Sequence, residues 1–154
     1  MKIFQTLCLI LLISTTLQAQ AGRKQAQAVR IPDGSIRLDG SLNDEVWRLA
    51  LPINDFIQKE PTEGAPPSEE TEVRILYDDA AIYIGARMYN REQVPIQAPL
   101  GRRDAVDQAE YFLVHLDTFY DRRTAYGFGV TASGVRIDRY YPQDSESDTI
   151  ECSQ

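Results

Sequence analysis

The chain has 154 residues, 43% of them hydrophobic, with 16 basic against 23 acidic side chains and a net charge of −7. One domain of ordinary size accommodates that length. The acid excess argues against broad electrostatic binding of nucleic acid or of anionic membrane surfaces.

Residues 1–21 read as a secretory signal peptide. Lys2 supplies the positive start and residues 3–17 are an apolar run. Ala19-Gln20-Ala21 is an A-x-A pattern, with cleavage expected after Ala21 and, as second choice, after Ala19. The run is short for a bilayer span, and no later apolar stretch matches it, so the mature chain is expected to be soluble and exported. Loss of Lys2 leaves 15 basic against 23 acidic residues, a net charge of −8. Cys8 lies in the leader. Cys152 is then the only mature cysteine, which excludes an intramolecular disulfide.

Residues 22–30 are polar and read as a flexible lead-in to a folded domain over residues 31–141. Residues 35–38 predict a short strand ending in an Asp39-Gly40 turn. Ser41 with Asp44 forms a capping-box pattern, and Leu42, Val46 and Leu49 follow at helical spacing. A one- to two-turn helix is expected there, with Trp47, the single tryptophan, buried beside Val46 or Leu49. Residues 59–70 carry three prolines and a glycine among acids and predict an exposed loop.

From residue 71 the period changes to two. Val73, Ile75 and Tyr77 alternate with Glu72, Arg74 and Leu76. Asp78-Asp79 marks a turn, and Ile82, Ile84, Ala86 and Met88 alternate with Tyr83, Gly85, Arg87 and Tyr89, which predicts a β-hairpin over residues 71–89. A long irregular connection follows over residues 91–107. A three-strand meander then places Phe112, Val114 and Leu116, and Tyr126, Phe128 and Val130, on one face. Ser133-Gly134 turns the chain into Val135, Ile137 and Arg139. Residues 142–154 lack strand signals and read as a poorly ordered tail. The fold class expected is all-β, an antiparallel β-sandwich of jelly-roll type with one short N-terminal helix.

Four blocks in order resemble family 9 carbohydrate-binding modules, in particular the N-terminal domain of large exported bacterial proteins. They are Leu38-Asp39-Gly40 with Asp44-Glu45-Val46-Trp47; Val73-Arg74-Ile75-Leu76-Tyr77-Asp78-Asp79 with Ile82-Tyr83-Ile84; Arg102-Arg103-Asp104 and Asp107 with Val114-His115-Leu116-Asp117-Thr118 and Asp121; and Tyr126-Gly127-Phe128-Gly129-Val130 with Gly134 and Asp138. The resemblance implies a non-catalytic glycan-binding domain that brings an attached or associated activity to polysaccharide. It places the protein in a bacterial periplasm, at the outer membrane or outside the cell. Two features depart from the pattern. Sugar-holding members clamp the ligand between paired tryptophans, and here Trp47 stands alone. The family also continues with further strands, so the chain reads as stopping before a C-terminal β-rich region. An isolated product is therefore expected to be marginal, aggregation-prone or dimeric.

Sugar sites combine flat aromatic faces with planar polar groups. If Phe112, Val114 and Leu116 face inward, Tyr111 and His115 face out, as do Tyr83, Arg87, Tyr89 and Tyr140. With Arg102, Arg103 and Asp104 of the connection these form the candidate ligand-binding set; ordinary cross-strand tyrosine pairing is the competing account. The resemblance also implies structural calcium, and Asp104, Asp107, Asp117, Asp121 and Asp138 are the candidate oxygen donors. Turn formation competes for those aspartates, as it does for Asp33, Asp39, Asp78 and Asp79. The carboxylate pairs Asp107 with Glu110 and Asp117 with Asp121 have no context for glycoside hydrolysis, and no serine-elbow, phosphate-loop or zinc motif is present. Met88 and His115 raise one minor alternative, haem ligation on a β-sandwich. A protein-interaction domain of the envelope is the main one.

Overall fold

The computed structural model describes residues 24–142. The expected leader, and the expected tail beyond Pro142, lie outside the described residues. Nearly all of the regular structure within residues 24–142 is strand: β1 (Val29–Arg30), β2 (Thr71–Tyr77), β3 (Ile82–Met88), β4 (Tyr111–Leu116), β5 (Ala125–Thr131) and β6 (Arg136–Tyr141). They form two three-stranded sheets, β1-β2-β3 and β4-β5-β6. The hairpin and the meander expected from the period-two runs are both present, antiparallel and in continuous register. No helix among the described residues is long and apolar enough to cross a membrane.

Three local expectations are corrected. Val29–Arg30, expected in the flexible lead-in, pairs parallel with β2 through Val29↔Leu76 and Arg30↔Tyr77. Two residues carry no readable period, and the pairing comes instead from the free edge of β2 and from Ile31, which is buried and donates its N–H to the Tyr77 carbonyl at 2.9 Å. Residues 35–38 form no strand. The one- to two-turn helix expected behind a capping box is a five-residue 3-10 helix, Glu45–Leu49, capped at Asp44 without a side-chain hydrogen bond. Asp39 instead accepts the Ser41 N–H, and Asp44 the Arg37 N–H, so neither side of the anticipated capping box forms. A helix of a single turn or so has little propensity of its own, and tertiary packing holds it.

The packing centres on Trp47. It is 6% exposed and clusters with Ile31, Ala50 and Leu76, joined by the partly buried Val29, Ile36, Leu42, Val46 and Tyr83. Val46 flanks it as expected, while Leu49 is 59% exposed. The face of β2-β3 that reads as polar from alternation (Glu72, Arg74, Leu76, Tyr83, Gly85, Arg87) is thus the one covered by the opening segment. Leu76 on that face is fully buried. Gly85 is the enabling residue. A Cβ there would stand 2.8 Å from both Leu42 Cδ2 and Trp47 Cζ3, so only glycine lets the indole lie against the strand.

The opposite face of β2-β3 looks toward the second sheet. Ile75, Tyr77, Ile82 and Ile84 line a gap of about 520 Å³ together with Val114 and Leu116 of β4. The gap is incompletely filled: Ile82 in its lining is 60% exposed.

The turn at Asp78 shows how tightly the hairpin is fixed. One carboxylate oxygen accepts the Ala80 and Ala81 N–H groups, each at 2.8 Å, and the other accepts the Tyr83 hydroxyl at 2.8 Å. These bonds, the tyrosine's first, hold the Asp78 carboxyl below its ordinary pKa and push the Tyr83 phenol up. Amide bonds from Thr124 and Arg123 lower Asp121 in the same way. Burial, followed by the nearby Arg139, pushes His115 down. The folded state therefore binds fewer protons than the unfolded chain, and stability falls as pH drops. The expected result is a melting temperature that declines in two stages. The first begins below about pH 6.5, where the unfolded imidazole protonates, and the second below about pH 4, where the unfolded carboxylates do. His115→Phe should remove the first stage and Asp78→Asn should shrink the second; a melting temperature flat from pH 7 to 3 would contradict both assignments.

Candidate functional site

The structure disperses the candidate ligand-binding residues. Tyr83 is not a free platform. Its ring joins the Trp47 core and its hydroxyl is held by Asp78. His115 stands across from Gly127, its ring 5.0 Å from that of Tyr141. Its Nε2 is buried without a hydrogen-bond partner among the described residues. Tyr140, expected beside His115, lies on the other face: it pairs with Tyr126 in register, and the two rings are 4.9 Å apart. The reason is the register of β6, which brings Ile137 opposite Gly129 and Leu113. Ile137 is 2% exposed there, so the face expected to be a sugar platform is a packed surface. Tyr141 was missing from the expected set. Its signal was only its parity with Ile137 and Arg139.

Arg102, Arg103 and Asp104 lie on the connection before β4. Arg103 pairs with Asp138, which raises the arginine's pKa, and Asp104 accepts the Asp138 N–H at 2.8 Å. Arg102 is exposed, and its carbonyl accepts the Ala105 N–H at 3.1 Å. Asp104 holds a left-handed φ of 64°, uncommon outside glycine.

Tyr89 and Tyr111 are brought together. They line one cleft of about 290 Å³ with Met88, Glu69, Glu92 and Glu110. The Arg91 guanidinium lies over the Tyr89 ring, 5.6 Å from its centroid. The walls are fixed by loop contacts: Glu69 accepts the Glu92 N–H at 3.0 Å, Glu110 accepts the Gln97 N–H at 2.9 Å, and Asn90 both donates to and accepts from the Val94 backbone. Met88 therefore belongs to this cleft while His115 rests against Tyr141, so the two haem candidates share no site.

Arg87 opens onto a different cleft, of about 310 Å³, on the Trp47 face of β2-β3. It was expected beside Tyr83 and Tyr89. Arg48 and Arg74 line the same cleft. Neither was anticipated, because Arg48 follows Trp47 in a segment read as helix and Arg74 sits in a strand of ordinary alternation.

Among the metal candidates, Asp104 and Asp138 are neighbours. Asp117 and Asp121 share the β4–β5 turn, where Asp117 accepts the Asp121 and Arg122 N–H groups at 3.1 and 2.8 Å. Asp107 joins neither pair through a hydrogen bond. No group of three or more His, Cys, Asp or Glu side chains able to hold a metal occurs among the described residues.

Comparison of the chain with protein-family models, with curated proteins and with solved structures gave no match.

Proposed function

We propose that the protein is an exported, non-catalytic glycan-binding domain whose two sheets belong to a β-sandwich of jelly-roll type. The observation that carries this reading is the meeting of Tyr89 and Tyr111 in one cleft with three glutamates. Tyrosine faces suit the C–H surfaces of a sugar ring, and carboxylates accept its hydroxyls. A cleft of about 290 Å³ is at the small end for a ligand site and suits one or two sugar units. A panel of plant and microbial oligosaccharides applied to the folded protein tests the reading. Tyr111→Ala and Tyr89→Ala should each weaken the best ligand at least ten-fold without lowering the melting temperature below that of the assay. Absence of binding across the panel, or binding indifferent to both substitutions, would remove the proposal.

Structural calcium belongs to the same reading, with Asp104 and Asp138, and Asp117 and Asp121, as the neighbouring aspartates. Adding calcium to chelator-treated protein then raises the melting temperature by mass action. An unchanged melting temperature leaves all five aspartates as turn formers.

One observation favours a second reading, an interaction domain of the envelope. Ile82, Met88, Phe128 and Val130 leave apolar surface open on the facing sides of the two sheets, the kind of patch that marks a protein partner. Sedimentation of the purified chain distinguishes the two, because association that Ile82→Lys and Phe128→Lys abolish belongs to this surface.

A further inference from the structure

The cleft beneath Arg87 is rich in arginine. In a chain where acids outnumber bases, it gathers three guanidinium groups, Arg48, Arg74 and Arg87, against one carboxylate, Glu72. That carboxylate is already directed at Arg74, 3.6 Å away. Arg74 is built into the floor. Its side chain is 25% exposed, and Nη1 donates to the Trp47 and Ala50 carbonyls at 3.2 and 3.3 Å. Arg48 and Arg87 are exposed at the rim, and neither side chain has an ion-pair or hydrogen-bond partner among the described residues. Their placement follows from the fold. Arg87 stands across from Glu72 on β2-β3, and Arg48 is the residue after the buried Trp47.

We infer that this cleft takes the carboxylate of an acidic sugar, a uronic acid unit within a glycan. Guanidinium groups lining one cleft suit a carboxylate because the arginine fork matches its two oxygens, and a preset Arg74 loses little freedom on binding. Asn43, on the same wall, offers an amide to the ring hydroxyls. The inference rests on the glycan-binding reading and names its ligand class, at a site separate from the Tyr89–Tyr111 cleft.

The probe is the emission of Trp47, which lines the cleft and is the protein's only tryptophan. A trimer of galacturonic acid, the neutral galactose trimer, and sodium acetate are titrated into the full chain. The expected result is a saturable change with the acidic trimer alone, weakened at least ten-fold in Arg48→Gln/Arg87→Gln and several-fold by raising salt from 50 to 300 mM. Both arginines are exposed, so the variant's melting temperature should match the parent's and serve as the folding control. A change with acetate at equal affinity means a bare carboxylate site and overturns the inference. Equal binding of acidic and neutral trimers, unaffected by the substitutions, overturns it while leaving the glycan reading intact. No change with either trimer in folded protein overturns the inference, and the Tyr89–Tyr111 reading is then judged on the oligosaccharide panel alone.

Discussion

Trp47→Ala is expected to lower the free energy of unfolding by about 3–5 kcal/mol, the range for truncating a large buried aromatic. The indole clusters with residues from three parts of the chain: Ile31 after β1, Ala50 after the 3-10 helix, and Leu76 in β2. Removing it also exposes the backbone face at Gly85, where the ring now lies. Part of the cost is offset, because Nε1 is buried without a hydrogen-bond partner among the described residues, and a buried unpaired donor is itself unfavourable. Trp47→Phe should therefore cost much less than Trp47→Ala. Chemical denaturation followed by far-ultraviolet circular dichroism measures both. If Trp47→Ala keeps the parental midpoint, the structural role of the indole falls.

Adding one methyl group at Gly129 should be nearly as damaging. A Cβ there would stand 2.4 Å from the Phe112 carbonyl oxygen, a backbone atom of the adjacent strand. No rotamer change relieves such a contact, so the β4–β5 ladder must shift. Overpacking costs typically run to about 3 kcal/mol, and Gly129→Ala is expected at or above that. Gly85→Ala is the informative comparison. Its clash is with side chains, Leu42 and Trp47, so the cost should fall in a Trp47→Phe background, where the offending ring atoms are gone. Additive losses in that double-mutant cycle would mean the indole does not lie against Gly85.

The strands were legible because their chemistry alternates. Val73-Ile75-Tyr77, Ile82-Ile84 and Phe112-Val114-Leu116 announce themselves by period, and Asp78-Asp79 and Ser133-Gly134 by turn chemistry. Faces were less legible than strands. Leu76 sits among Glu72 and Arg74 and was grouped with them, yet it is the most buried side chain of the hairpin. Both faces of β2-β3 carry apolar residues, and alternation alone could not say which one Trp47 would cover. The same ambiguity split the expected platform. His115 and Tyr140 were set on one side by parity counted along each strand, whereas the β5–β6 register, fixed by the Ser133-Gly134 turn, sets them on opposite sides. The Arg48–Arg74–Arg87 cleft was illegible because its members lie far apart in sequence and meet only when the opening segment folds onto the sheet.

That opening segment has a consequence for the order of assembly. The β2-β3 hairpin and the β4-β5-β6 meander each pair neighbours joined by short turns, so they can form from local encounters. Val29 meets Leu76, and Trp47 meets Gly85, only across long intervening chain. Closing such loops carries an entropic cost that local pairings avoid. The tryptophan is thus a late arrival on a preformed hairpin. Destabilising it should quicken unfolding while leaving the folding rate nearly unchanged. What fixes the lifetime of the native state is then the latch rather than the sheets.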